Sequence, residues 1–278
     1  SFDNINPSVM DVLSTYLTVR GIELVVLDSV DGKAVLPDDI GTVGAVYCEN
    51  PNFYGLIEDT ASIAETCHNN GGKFVLGMNP IAMGLLKSPR EQGADIAVGE
   101  AQPLGLPMSF GGPYIGFMAT TQKEMRKMPG RIVGETVDSA GNRAYVLTLQ
   151  AREQHIRRER ATSNICSNQA LCALTASVYL ASVGSEGLRH VAKACTSNAH
   201  YLANGLVEKG AKLCFNGEFF HEFVTLTEGK AEEIITALKK ENILGGLLID
   251  ADTILWCCTE KATKETMDKV LEIVGGVL

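Results

Sequence analysis

The sequence predicts an α/β fold, with a large domain built on a buried, mostly parallel sheet and a small C-terminal α+β domain. Three observations point there. Near-continuous apolar runs at 44–50 (GAVYCEN), 73–78 (KFVLGM), 94–99 (ADIAVG) and 116–121 (GFMATT) alternate with helical stretches, as strands covered on both faces do. A different pattern follows at 131–149, where alternation around Ala140-Gly141-Asn142 suggests a hairpin. Beyond it, two short strand runs each precede a helical run, the mark of a compact α+β unit.

Taken in order, Asn6 is placed to cap a helix with Pro7 at its first position, ending near Gly21. Residues 22–28 (IELVVLD) form the first strand candidate. A helix is expected over 58–70, with Ile63, Ala64 and Cys67 on one side. Long helical material runs from 168 to 209, broken at Gly184 and Gly187. Strands are expected at 222–227 and 253–259, and helices at 231–241 and 261–274. The boundary falls within 180–195, giving a large domain over 1–185 and a small one over 186–278.

The 278 residues are 45% hydrophobic and 21% charged, enough for a sizeable core and against general disorder. A formal net charge of −9 argues against nonspecific nucleic-acid binding, which needs a positive field. The chain shows no signal segment and no apolar run near 18 residues, so the expectation is a soluble, cytoplasmic protein with no membrane role. The chain enters a helix almost at once, and Ser1 is expected to lie inside a larger protein. Eight cysteines without a C-x-x-C pair or zinc-ligand spacing read as reduced structural thiols, with no metal site expected.

Both nucleotide motifs, G-x-x-x-x-G-K-[ST] and G-x-G-x-x-G, are absent. The stretch GEAQPLGLPMSFGGPYIG (99–116) has the form of an active-site loop after a strand, yet its turn carries no reactive group. Gly111 and Gly112 permit either a backbone turn beside a ligand or simply a tight turn into the next strand. Four arginines, Arg152, Arg157, Arg158 and Arg160, surround His155. Arginine suits bidentate phosphate or carboxylate recognition, and the same spacing also suits a solvated helix face with internal Glu–Arg pairs. Thr162, Ser163 and Asn164 precede the long helix and could cap it or bind an anion there. His155 is the best-placed acid–base histidine, although a lone histidine is more often structural.

GADIAVGEAQPLGLPMSFGGPYIGFMAT and LQAREQHIRRERATSNICSNQAL, with NPNFYGLIED and NPIAMGLLKSP, closely resemble the P-protein family of the glycine cleavage system, first subunit of the two-subunit bacterial form. The resemblance covers essentially all 278 residues. It implies a fold-type-I aminotransferase-like architecture lacking the N-terminal part of the large domain, the chain matching roughly the last two-thirds of the subunit. It further implies a heterotetramer (α2β2) with a second subunit, which carries pyridoxal phosphate, decarboxylates glycine and passes the aminomethyl group to the lipoyl arm of the H protein. By the same resemblance, the cofactor-lysine position falls at Pro103, with Gln102 beside it, and the pyridine-acid position at Asn79. Lys87 and Lys123 lie outside the loop, so no catalytic residue is expected on this chain. Thr162, with Arg160 and Ser163, is the candidate to reach the partner's cofactor phosphate. Arg152, His155, Arg157, Arg158, Gly111 and Gly112 are substrate or interface candidates. Two other readings stand beside this one: a structural or interaction subunit with a vestigial site, and an independent pyridoxal enzyme, which the missing lysine opposes.

Overall fold

The computed structural model describes residues 1–129, 132–148, 157–161 and 169–278. Helix α1 (Pro7–Val19) starts as the sequence dictates. Asn6 Oδ1 accepts from Ser8 N at 2.9 Å, and Pro7 costs no hydrogen bond in the first turn. No residue of α1 is buried.

The parallel sheet is formed by β1 (Ala45–Asn50), β2 (Lys73–Met78) and β3 (Ile96–Glu100), with β4 (Gly116–Thr120) added antiparallel beside β3. Helix α2 (Thr60–Asn69) crosses from β1 to β2 and buries Ile63, Ala64 and Cys67, the face its periodicity marks. These pack with Phe2, Val46, Cys48, Phe74 and Leu76. Fully burying the Val, Leu, Ile and Phe side chains among them stabilises by about 1.5–3 kcal/mol each.

The expected strand at 22–28 is not formed. Only Leu27 bridges, parallel to Phe2, through Leu27 N to Ser1 O (2.9 Å) and Asp3 N to Leu27 O (3.0 Å). β-propensity becomes a strand only against a partner ladder, and Ser1–Asp3 supplies one bridge of it. Val25 and Val26 stay exposed.

Strands β5 (Ile132–Val137) and β6 (Arg143–Thr148) form the expected hairpin. Asp138 Oδ1 accepts from the Ala140 and Asn142 amides, and Gly141 takes φ +82° to close the turn.

Helix α3 (Ala170–Glu208) spans the residues where the domain boundary was expected. Gly184 breaks it at φ 60°, ψ −175°, a conformation essentially restricted to glycine. Gly187, expected to break it too, stays helical. By length and composition α3 is apolar enough to cross a membrane. Its first limb, 170–183, rises only about 21 Å before the kink, short of the roughly 30 Å of a hydrocarbon core.

The C-terminal unit is a four-stranded antiparallel sheet of β7 (Lys212–Leu213), β8 (Glu222–Leu226), β10 (Thr253–Cys257) and β9 (Leu247–Leu248), in the order β7-β8-β10-β9. Helices α4 (Ala231–Lys240), α5 (Lys264–Val277) and the second limb of α3 cover it. Leu206, Phe223, Ile234, Leu238, Ile254, Trp256, Val270 and Val274 make its core. The last helix begins three residues later than expected because Thr263 caps it, accepting from Thr266 N at 3.2 Å.

Candidate functional site

In an open α/β sheet, ligands bind beyond the carboxyl ends of the parallel strands. Here that end is built from Glu49 and Asn50 of β1, Asn79 just after β2, and the Glu100–Pro103 stretch after β3. Glu49 accepts from Asn6 N at 2.8 Å and from the Tyr47 hydroxyl at 3.0 Å, while burial pushes its carboxyl up. Gly77 is required by this arrangement, since a Cβ there would run into the Tyr47 ring and Glu49 Cγ.

Asn50 donates to Gln92 Oε1 (2.7 Å) and accepts from Glu58 N (3.1 Å), tying the loop after β1 back to its strand. That loop is organised around the buried Glu58. Asn4 Nδ2 (2.7 Å), Asn52 Nδ2 (2.6 Å) and Ala34 N (3.0 and 3.1 Å) all donate to its carboxylate. Gly55, at φ +84°, lets the loop lie directly against the Glu222 backbone of the small unit.

Asn79 is fully engaged. Its Oδ1 accepts from Ile81 N (2.9 Å) and Ala82 N (3.3 Å), which turns its Nδ2 toward His221 Nε2 at 3.3 Å. His221 is therefore the acceptor at Nε2 and carries its proton on Nδ1. Burial holds its pKa down to about 4, so the ring is neutral near pH 7. Its Nδ1 is buried without a hydrogen-bond partner among the described residues. Beside it, Glu222 is pushed up to about 7, first by burial and then by the charge of Glu49. Directly across the β8–β10 ladder from Glu222 stands Cys257.

After β3, Glu100 Oε1 accepts from Gln102 N (3.0 Å) and Ile115 N (3.1 Å), and Gln102 Nε2 donates to Leu106 O at 2.6 Å. Ala101 and Leu104 anchor this turn in the cluster with Ala176 and Ala192 of α3. Pro103 is exposed. Gly111 and Gly112 take φ +105° and +146°, and Gly111 N bonds Met108 O at 3.0 Å. No atom lies within 4 Å of a Cβ at Gly111, so turn geometry rather than close approach calls for glycine there.

The resemblance placed a pyridoxal-binding lysine and acid at Pro103 and Asn79. Proline has no amine, and the amide of Asn79 offers no anionic oxygen. Lys87 and Lys123 are both exposed. The described residues do not fit covalent attachment of that cofactor, nor an ion pair to its ring nitrogen.

Of the arginine cluster, Arg158 and Arg160 form an exposed 3-10 turn after the half-buried Arg157, and Arg160 Nε sits 3.9 Å from Glu159. Arg152, His155, Thr162 and Ser163 lie outside the described residues. His221, Glu222, Cys257 and Glu49 were not singled out from sequence. Asn79 and His221 are 142 positions apart, and no local spacing signals their contact.

Residues 2–274 match the family described as Glycine cleavage system P-protein. The probable glycine dehydrogenase (decarboxylating) subunit 1 of Desulfitobacterium hafniense is 46% identical over 98% of this chain and 64% of the relative. Its counterpart in Desulforamulus reducens is 48% identical, with the same coverage. The chain thus spans just under two thirds of the length of these relatives. A crystal structure of glycine decarboxylase (P-protein) of the glycine cleavage system, in inhibitor-bound form, superposes with a TM-score of 0.94 at 41% identity, over 100% of this chain and 64% of that one. An aspartate aminotransferase from Thermus thermophilus shares the fold alone, at TM-score 0.68 and 14% identity over 100% of this chain and 77% of that one. The chain belongs to the glycine cleavage system P-protein family.

Proposed function

We propose that this chain is part of subunit 1 of a two-subunit glycine dehydrogenase (decarboxylating), and that it works without a pyridoxal phosphate of its own. The observation that carries this is the pair Pro103 and Asn79, which stand where the resemblance expects a lysine and an acid. The cofactor, on this reading, is held by the second subunit in an α2β2 assembly. It supplies an electron sink for the decarboxylation of glycine, and the aminomethyl group goes to the lipoyl arm of the H protein in the cytoplasm.

The role of this chain is then positional. Its 99–116 loop is held by Glu100 and Leu104 as a shaped surface rather than as a source of a nucleophile. The arginine-bearing segment with Arg160, Thr162 and Ser163 completes the phosphate end of the partner's site. Arginine and a hydroxyl before a helix suit a phosphate group, which favours this reading.

The test is borohydride reduction of the reconstituted two-subunit enzyme with pyridoxal phosphate, followed by peptide mass analysis. Label on the second subunit alone is the expected result. Label on a lysine of this chain overturns the proposal. The alternative, a vestigial structural subunit, is favoured by the closure of the Asn79 position against His221. Thr162→Ala and Arg158→Ala separate the two. Weakened cofactor retention in the assembly supports a completing role, and unchanged retention and turnover support the structural one.

A further inference from the structure

We propose that His221, Glu222 and Cys257 form a binding site for one zinc-like divalent cation at the seam between the parallel sheet and the small unit. The ligand atoms of the three side chains lie within 4.8 Å of one another. His221 Nε2 and Glu222 Oε2 are already 3.8 Å apart. Donors around tetrahedral zinc, at about 2.0–2.3 Å from the metal, sit roughly 3.5 Å from each other. The set needs to close by only about 1 Å at its widest.

The backbone brings the ligands together. Cys257 pairs with Glu222 in the antiparallel ladder, which puts both side chains on one face. His221 precedes Glu222, and its backbone carbonyl receives Cys258 N at 2.9 Å, fixing the end of the ladder. The Nε2 lone pair accepts from Asn79 Nδ2 at 3.3 Å, and a cation bound at Nε2 would take the place of that hydrogen bond. One nitrogen, one oxygen and one sulfur, with a position left for water, is a donor set that suits zinc rather than magnesium or calcium.

Bound to these three side chains, the cation would tie the start of β8 to the end of β10, a structural staple rather than a reaction centre. Cys257 lies 35 positions after the adjacent pair His221-Glu222, so a search for paired zinc-ligand spacings does not find the set.

Cobalt(II) is the probe. Reduced, chelator-treated protein is titrated with cobalt, and zinc affinity is read by competition with a chromophoric chelator. One equivalent with a thiolate-to-cobalt charge-transfer band is expected, along with a rise in melting temperature. Cys257→Ser should abolish the band. His221→Gln and Glu222→Gln should each weaken zinc binding by at least about tenfold. Circular dichroism of the metal-free variants checks their fold. Should Cys257→Ser fail that check, Glu222→Gln and iodoacetamide protection of Cys257 by zinc carry the test. No band and no competition overturn the proposal. So does a band that survives Cys257→Ser and is lost in Cys195→Ser or Cys258→Ser.

Discussion

Replacing Glu58 by alanine tests how the loop behind β1 is held. Glu58 is 6% exposed, and its carboxylate gathers donors from three separate segments: Asn4 near the start, Ala34 before β1 and Asn52 after it. Asn4 and Asn52 keep a second acceptor, Gly32 O, at 3.0 and 2.8 Å. Ala34 N has no other acceptor among the described contacts, so alanine at 58 strands a buried amide. Losing an accepting charge costs about 1.5–3 kcal/mol per hydrogen bond, offset by the desolvation that burial already imposes on this carboxylate. The two asparagines fall back on Gly32, and the net loss should be about 3–5 kcal/mol, as when one partner of a buried charged network is removed. Urea unfolding followed by tryptophan fluorescence measures it. At a slope of about 2–3 kcal/mol/M the midpoint should fall by roughly 1–2 M. Glu58→Gln should lose less, because the oxygen at Oε1 still accepts from Asn4, Asn52 and Ala34 N and only the second contact of Ala34 N, to Oε2, is lost to a donor. A loss below about 1 kcal/mol for Glu58→Ala, or equal losses for both variants, would refute the reasoning.

Gly55→Ala introduces a Cβ onto the Glu222 backbone at a positive φ. It should destabilise by about 3 kcal/mol or more, read as a fall in melting temperature. Thr225→Val keeps the shape of a buried side chain but orphans Trp256 Nε1, which donates to Thr225 Oγ1 at 2.8 Å. A cost of about 1–2 kcal/mol in chemical denaturation is expected. In chelator-treated protein, His221 has a folded pKa below its unfolded one. The stability it contributes is present above about pH 6.5 and is lost as pH falls through about 4, by roughly 3 kcal/mol. Glu222 acts in the opposite sense, losing stability as pH rises through about 7, while Glu260 raises the His221 pKa. Glu222→Gln should therefore expose the acid loss of His221, and equal stability of that variant at pH 7 and pH 4.5 would rule the account out.

Local chemistry was legible in the sequence wherever it decided the structure. Asn6-Pro7 fixed the start of α1, Ile63, Ala64 and Cys67 marked the inner face of α2, and Asp138 with Gly141 closed the hairpin. Pairing was not legible. The IELVVLD run has the composition of a strand, but composition does not supply the neighbour that a ladder requires, and only Leu27 finds one. Nor could two nearby glycines be told apart, since Gly184 and Gly187 differ in the torsions the packing imposes rather than in identity. Motif resemblance pointed to Asn79 and Pro103 but not to what surrounds them. His221 and Cys257 reach this end of the sheet through the whole intervening chain.

The amide at Asn79 and the imidazole at His221 explain each other. Asn79 must accept from two backbone amides to shape the turn into Ala82, and it has a donor left for a neutral ring. A carboxylate there could make the same turn but would present only acceptors to Nε2. The ring would then have to turn its proton inward or take up a charge, and burial opposes the charge. The small unit can therefore close over the end of β2 with a neutral contact only because position 79 is not acidic. A pocket holding a protonated pyridine nitrogen needs the opposite, a carboxylate facing inward. The amide at position 79 and the packing of His221 against it form one consistent arrangement, in which the end of β2 serves the contact between the parallel sheet and the small unit.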